Sequence, residues 1–293
     1  MRIISSLVCI LVTIALSGCL SFSPPAIRAL DDGIVYQPTR YPDGQWSPPD
    51  LVFEDAYFEA ADGTKLHGWF CPCSQPRAVV LFAHGNAGNL SYHWERMQLM
   101  QRDLHVAALI FDYRGYGRSG GLPNEKGVLA DARAARKWLA DRCGIGEQEI
   151  VLVGQSLGGG VAVDLAAKDG AAGLILESTF TSMPDVASHH LPYSPARYLM
   201  RNRFNSLAKI GNYHGPLLLA HGDADKLISV EQGQKLFAAA GGPKSLAIIP
   251  GADHNWAYTR EYVQRLDQFF AEQAASRPVR VAETNQTHEV ARH

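Results

Sequence analysis

The sequence predicts an α/β fold built on a mostly parallel, doubly wound sheet. Short apolar runs recur along the chain, and stretches with helical spacing separate them, which is typical of successive β–α units. Several runs are continuously apolar, as expected of strands buried on both faces, and Ile150–Val153 is the clearest of them. Residues 51–60 and 65–70 differ, because Asp62-Gly63 between them is typical of a hairpin turn. The sheet is therefore predicted to begin with an antiparallel pair.

The length and composition suit one large domain better than two small ones. The chain has 293 residues, of which 46% are hydrophobic and 19% are charged, so it can bury a sizeable core. Its formal net charge is −2 and it has no long basic run, which argues against nucleic acid as a partner.

The elements follow one another in a regular order. Each predicted strand is an apolar run, and the helices between them show apolar residues at intervals of three and four. The predicted strands span residues 51–60, 65–70, 78–83, 106–111, 150–153, 173–176, 216–220 and 246–249. The predicted helices span residues 92–102, 128–139, 161–168, 232–239 and 256–274. One folded domain over 51–274 follows, with a polar tail over 275–293 that is expected to be disordered.

Residues 179–213 interrupt this alternation. They contain three prolines, short helical pieces, and a mixture of apolar and basic side chains. Loops at the carboxyl ends of parallel strands form the ligand crevice of open α/β sheets. A small cap over a binding site is therefore predicted here, and a surface excursion without a substrate role is the alternative.

Gly154-x-Ser156-x-Gly158 lies between a predicted strand and a predicted helix. This spacing is typical of a nucleophile elbow, in which a tight turn holds a serine in a strained conformation and exposes its Oγ. The neighbours two residues away come too close to carry side chains, so glycine is required there. Ser156 is the candidate nucleophile, and an ordinary glycine-rich turn is the alternative.

Candidate partners for Ser156 follow two later strands. A serine hydroxyl needs a base to take its proton, and the base needs a group that orients it. Asp223 and Asp225 follow the strand over 216–220, and Asp225 is favoured because the apolar pair Leu227-Ile228 comes after it. His254 follows the strand over 246–249 and is the candidate base. Asp253 is not expected to orient it, because adjacent side chains of a loop usually point apart.

Two further candidates are backbone N–H groups that would stabilise the oxyanion formed when the serine attacks a carbonyl group. The N–H of Leu157, directly after the nucleophile, is one predicted donor, and the N–H of Asn86 in the glycine-containing loop after residues 78–83 is the other. His84 and His221 each precede a glycine at a strand end and are expected to brace turns. No metal or cofactor site is predicted.

Four motifs together resemble the α/β-hydrolase superfamily, in particular its small-cap serine hydrolases of the abhydrolase domain-containing group. These motifs are Gly154-Gln155-Ser156-Leu157-Gly158-Gly159, residues 84–89, residues 112–119 and His221-Gly222-x-x-Asp225. The resemblance covers roughly residues 34–274. It implies an α/β-hydrolase fold, a Ser156–Asp225–His254 triad that hydrolyses acyl esters or thioesters, and a structural role for residues 112–119.

The first residues have the proportions of a signal peptide. Their apolar run is shorter than the roughly 20 residues of a membrane-spanning helix. Leu16-Ser17-Gly18-Cys19 resembles the bacterial lipoprotein cleavage box, which implies a signal over residues 1–18, a lipidated Cys19, and a tether and N-terminal segment over residues 19–50. By the same resemblance, Leu20 after the cysteine, where an aspartate is absent, implies the outer membrane, facing the periplasm. An uncleaved anchor or an ordinary secretory signal is the alternative.

The three cysteines of the predicted domain, Cys71, Cys73 and Cys143, are an odd set with no disulfide framework and no zinc spacing. They are expected to be unpaired, although one pair could form in an oxidising compartment. Three functions stay open: a membrane-tethered serine esterase for a lipid or other small acyl ester, a peptidase or acyltransferase with the same triad, and a non-catalytic envelope binding protein. The oligomeric state is not predicted.

Overall fold

The computed structural model describes residues 31–192 and 195–276 of the chain. The eight strands of its central sheet are β1 (Glu54–Glu59), β2 (Lys65–Cys71), β3 (Val79–Ala83), β4 (Ala107–Asp112), β5 (Ile150–Gln155), β6 (Gly173–Glu177), β7 (Leu217–Gly222) and β8 (Lys244–Ile249). Their spatial order is β1-β2-β4-β3-β5-β6-β7-β8. Strand β2 is antiparallel to β1 and β4, and the other neighbours are parallel. The predicted fold, including the antiparallel hairpin, is confirmed.

Helices cover both faces of this sheet. They are α1 (Trp94–Arg102), α2 (Glu125–Cys143), α3 (Leu157–Asp169), α4 (Met183–His190), α5 (Ala196–Leu199), α6 (Leu207–Ile210), α7 (Val230–Ala239) and α8 (Arg260–Ser276). The sheet separates two apolar clusters: Val79 and Leu81 of β3 lie in one with α2 and α3, whereas Val80 and Phe82 lie in the other with α1 and α8. This alternation explains why the strands are apolar on both faces.

Three predicted helices had boundaries that were wrong by three or four residues. Helix α2 spans Glu125–Cys143 and so extends beyond its predicted range of 128–139 at both ends. Helix α3 begins at Leu157 and not at Val161, because its glycines are helical and let its first turn pack closely against the sheet. Helix α8 begins at Arg260 and not at Trp256, because the side chains of Trp256 and Tyr258 hydrogen-bond to Ser178 and Glu177 at the end of β6.

The N-terminal part of the described chain packs on the folded body. Val35 and Tyr36 are each 3% exposed. Residues Gln37–Pro38 then pair in parallel with Ala87–Gly88, in the loop that follows β3. The predicted signal over residues 1–18, the predicted lipidation site Cys19, and residues 277–293 of the predicted tail lie outside the described residues. Among the described helices, none combines the length and the hydropathy needed to cross a bilayer.

Three short helices, α4 to α6, occupy the segment between β6 and β7 that is predicted to form a cap. The two arms of this segment are joined by the Met183 N–H, which donates to the Arg203 carbonyl (2.8 Å), and by the Leu207 N–H, which donates to the Thr181 carbonyl (3.0 Å). His190 of α4 also hydrogen-bonds through Nε2 to the Leu227 carbonyl (2.8 Å). The segment therefore contacts the loop that follows β7.

Candidate active site

Ser156 lies in the tight turn between β5 and α3. Its φ of 53° and ψ of −116° are strained values for a residue with a side chain. A Cβ atom at Gly154 would lie 2.3 Å from the Gly158 carbonyl oxygen, and one at Gly158 would lie 1.9 Å from that of Ala83. The glycine requirement predicted on both sides of Ser156 is therefore confirmed.

A continuous hydrogen-bonded chain joins the three residues that the sequence singles out. His254 Nε2 lies 3.0 Å from Ser156 Oγ, and His254 Nδ1 lies 2.8 Å from Asp225 Oδ2. Because a carboxylate can only accept, Nδ1 carries the hydrogen and Nε2 is left free to accept the serine proton. The exposed fractions of Ser156, His254 and Asp225 are 7%, 7% and 8%, so these three hydrogen-bonded residues are largely shielded from water.

Asp225 is surrounded by donors. Its Oδ1 accepts the backbone N–H groups of Leu227 (2.9 Å) and Ile228 (2.8 Å), and its Oδ2 faces both His254 and His221. Burial alone would raise the pKa of this carboxyl group, but the hydrogen bonds from the two histidines and from the backbone lower it below its usual range. Asp225 is therefore an ionised acceptor for the imidazole.

The neighbouring aspartates hold loops and do not bond to the imidazole ring of His254. Asp223 Oδ1 accepts the Gly251 N–H (2.6 Å), which joins the loops after β7 and β8. Asp253 Oδ1 accepts the backbone N–H groups of His254 (2.8 Å) and Lys226 (3.2 Å) across the same two loops. These bonds fix the backbone around Asp225 and His254.

The loop after β3 lies against Ser156. A Cβ atom at Gly85 would be 3.8 Å from the Ser156 Cβ, so the Gly85–Asn86 peptide passes directly beside the serine. Within residues 31–192 and 195–276, the N–H groups of Asn86 and Leu157 have no backbone acceptor. The arrangement leaves these two groups available to an anion at Ser156.

Three consecutive carbonyls of this loop are held by side chains. Tyr113 OH donates to the His84 carbonyl (2.8 Å), His84 Nδ1 donates to the Gly85 carbonyl (2.8 Å), and Tyr116 OH donates to the Asn86 carbonyl (2.7 Å). Burial raises the pKa of both tyrosines, so their hydroxyls stay protonated and can donate. Because C=O and N–H point in opposite directions across a trans peptide, fixing the Gly85 carbonyl also fixes the Asn86 N–H.

Sequence reasoning assigned no role to Tyr113 or Tyr116, although both belong to the 112–119 motif. The only signal was that motif, whose structural role the family resemblance implied. His84 and His221 were expected to brace turns, and both donate to backbone carbonyls. The contact of His221 with Asp225 was not foreseen. Among the described residues, no group of three or more His, Cys, Asp or Glu side chains is arranged to hold a metal ion.

Comparison with known proteins agrees with the fold. Residues 80–210 match the model of the alpha/beta hydrolase family. An uncharacterised protein of Mycobacterium tuberculosis is 35% identical over 247 residues, which cover 84% of this chain and 86% of that protein. The alpha/beta hydrolase domain-containing protein WAV2 of Arabidopsis thaliana is 32% identical over 210 residues, covering 65% of this chain and 68% of WAV2.

Among solved structures, the esterase Pf2001 of Pyrococcus furiosus superposes with a TM-score of 0.65 at 22% identity, covering 80% of this chain and 98% of the esterase. The eight-stranded sheet with a serine at the elbow after β5 defines the class as that of α/β hydrolases. The chain belongs to the α/β-hydrolase family.

Proposed function

We propose that this protein is a serine hydrolase that cleaves carboxylic esters or thioesters through an acyl-enzyme. The observation that carries the proposal is the hydrogen-bonded chain from Ser156 Oγ through His254 to Asp225, with distances of 3.0 and 2.8 Å. The likeness of the fold to an esterase is consistent with it. Likeness of fold alone would not support an activity, because this fold serves many reactions.

Each group has a defined part in the proposed reaction. Ser156 Oγ attacks the acyl carbonyl carbon as His254 Nε2 takes its proton, and Asp225 stabilises the imidazolium that forms. The N–H groups of Asn86 and Leu157 would donate to the oxyanion. His254 then protonates the leaving alcohol or thiol, and water hydrolyses the acyl-enzyme with His254 again as the base.

The test is covalent labelling of the purified protein with a fluorophosphonate, together with hydrolysis of p-nitrophenyl esters of increasing chain length. Ser156→Ala should abolish labelling and reduce kcat by about 10⁶-fold, as in other serine triads. Hydrolysis by the variant at the wild-type rate would refute the assignment. If the wild-type protein binds esters but is not labelled by the fluorophosphonate and does not hydrolyse them, it is a binding protein. Turnover that needs an added alcohol or amine would indicate an acyltransferase.

We further propose that Cys19 carries a lipid anchor in the bacterial cell envelope, at the outer membrane and facing the periplasm. Two observations support a membrane beside the cap. Asp31 Oδ2 accepts the backbone N–H groups of Arg201 (2.8 Å) and Asn202 (3.0 Å), so Asp31 lies against the cap. Position 31 lies twelve residues after position 19, which allows a reach of at most about 40 Å.

The cap also exposes apolar surface, with Tyr198 and Leu199 exposed by 77% and 56%. An amphiphilic acyl ester at the membrane surface is therefore the proposed substrate. Cys19→Ser should move the protein from the membrane fraction to the soluble fraction, and Cys9→Ser, which alters the other cysteine of the leading segment, should not. Retention of Cys19→Ser in the membrane would indicate an uncleaved anchor.

A further inference from the structure

A buried carboxylate lies at the end of β6, behind the candidate nucleophile. Glu177 is 1% exposed, and three side chains from different elements donate to it. Arg96 of α1 contacts its Oε2 (2.6 Å), whereas Tyr258 and Tyr262 both donate to its Oε1 (2.5 and 2.8 Å). Burial raises the pKa of both tyrosines far above the usual value, so both hydroxyls donate.

Stability alone is a weak explanation for this cluster. The desolvation of a buried ion pair offsets most of its attraction, and apolar side chains of the same shape often stabilise a fold as well or better. A fully satisfied carboxylate does, however, fix the directions of its donors, because each donor must keep its geometry or leave a buried group unpaired. The cluster is therefore better suited to fixing positions than to raising stability.

The last residue of β6 and the two residues after it contact both the turn that carries Ser156 and the loop that carries His254. On one side, the Glu177 carbonyl accepts the Ser156 N–H (2.9 Å), and the Thr179 hydroxyl donates to the Ser156 carbonyl (2.8 Å). On the other side, Ser178 Oγ accepts the Trp256 indole N–H (3.0 Å), next to the bond from Tyr258 to Glu177. Trp256 and Tyr258 lie two and four residues after His254 in the same loop.

We propose that the Glu177–Ser178 pair positions the loop that carries His254 and thereby sets the distance between His254 Nε2 and Ser156 Oγ. The pair contacts the backbone of Ser156 directly and the His254 loop through two side chains. The pair does not touch the reacting atoms, so Glu177, Ser178, Trp256 and Tyr258 are positioning residues. This inference rests on the proposed roles of Ser156 and His254.

Two tyrosine variants test this positioning role, because the hydroxyls of Tyr258 and Tyr262 donate to the same Glu177 Oε1 from different elements. Tyr258→Phe frees the His254 loop from Glu177 but keeps the ring, which packs 4.6 Å from the Arg96 guanidinium. Tyr262→Phe removes the equivalent bond from α8, outside the loop, and is the matched control. The measurements are the second-order rate constant of fluorophosphonate labelling, kcat and KM for a p-nitrophenyl ester, and the melting temperature of each variant.

We expect Tyr258→Phe to slow labelling and lower kcat about tenfold or more while KM stays within about twofold, because small displacements of reacting groups are costly in rate. The two tyrosine variants should lower the melting temperature by similar amounts. Tyr262→Phe should nevertheless leave the labelling rate within about twofold of wild type. Ser178→Ala, which frees Trp256 instead, should reproduce the kinetic effect of Tyr258→Phe.

Equal slowing by the two tyrosine variants, or no slowing by either, would overturn the positioning role while leaving the proposed function intact. Absence of labelling in the wild-type protein would contradict the proposed function itself, and the positioning role would fall with it. The two failures are thus told apart by the wild-type measurement.

Discussion

His221 Nε2 lies 3.2 Å from Asp225 Oδ2, the carboxylate oxygen that also accepts the Nδ1–H of His254. The same nitrogen is 2.8 Å from the Ile228 carbonyl oxygen, and since a carbonyl can only accept, Nε2 of His221 must carry a hydrogen. A Cβ atom at Gly233 would lie 2.6 Å from His221 Nδ1, so a side chain at that position would displace the ring. His221 is therefore a fixed second donor to the acid of the candidate triad.

Replacing His221 tests the importance of this donor. We expect His221→Leu to lower kcat about tenfold with little change in KM, because Asp225 loses a charge-assisted hydrogen bond and orients His254 less well. His221→Gln, whose amide can donate, should recover part of the loss. Steady-state kinetics of the two variants, with the folded fraction measured by circular dichroism, check this. An increase in KM at constant kcat would point instead to a displaced substrate.

The choice between Asp225 and Asp223 can be tested with one pair of substitutions. Asp225→Asn keeps the shape but removes the charge that holds His254 in the productive tautomer, and kcat should fall by about 10⁴-fold. Asp223→Asn, two residues away, alters only the bond to the Gly251 N–H and should retain nearly wild-type kcat. If Asp223→Asn lost more kcat than Asp225→Asn, Asp223 and not Asp225 would be the acid that orients His254.

The lowered pKa of Asp225 has a consequence for stability. A carboxyl group whose pKa is lower in the folded than in the unfolded protein stabilises the fold above its unfolded pKa of about 4, and that contribution is lost as the pH falls toward the folded value. The difference in free energy of unfolding between wild type and Asp225→Asn should therefore be constant near neutral pH and shrink below about pH 4.

Urea titrations at a series of pH values, from neutral down to the lowest pH at which both proteins still fold, measure this difference. A difference that grows on acidification would show that the carboxyl group is destabilised, not stabilised, in its ionised form. Asp223→Asn serves again as the comparison, because its carboxylate bonds to the Gly251 N–H and not to either histidine.

The sequence was informative where chemistry imposes a local pattern. The elbow around Ser156 follows from steric limits on the backbone, and the positions of Asp225 and His254 follow because the carboxyl ends of parallel strands meet at one edge of the sheet. The structure brings these three side chains within hydrogen-bonding distance.

The contacts that surround them could not be predicted in the same way. The bond from Tyr116 OH to the Asn86 carbonyl spans 30 residues, and that from Tyr258 OH to Glu177 spans 81. Such bonds join a side chain to one distant atom and leave no periodic signal. The start of α8 was misjudged for the same reason: the apolar residues before Arg260 look helical, but Trp256 and Tyr258 hydrogen-bond to Ser178 and Glu177.

A last test concerns whether the three cysteines are all free thiols or whether one pair forms a disulfide, the two states considered from the sequence. All three cysteines of the described chain are free; Cys71 and Cys143 are buried, and Cys73 is partly exposed. Burial raises the pKa of the Cys143 thiol to about 11 and raises that of Cys71 further. Burial also raises the pKa of the Cys73 thiol, but Cys73 is the one of the three that solvent reaches. Because reaction needs both access and the thiolate, alkylation of the native protein by iodoacetamide should modify Cys73 alone.

Mass spectrometry of the tryptic peptide over residues 66–77 would show one adduct before unfolding and two after it, and Cys73→Ser should remove the first. A peptide that is two mass units lighter and resists alkylation until reduced would instead reveal a Cys71–Cys73 disulfide. That outcome would require β2 to rearrange at its end, because Cys71 is fully buried inside the sheet and Cys73 lies beyond it.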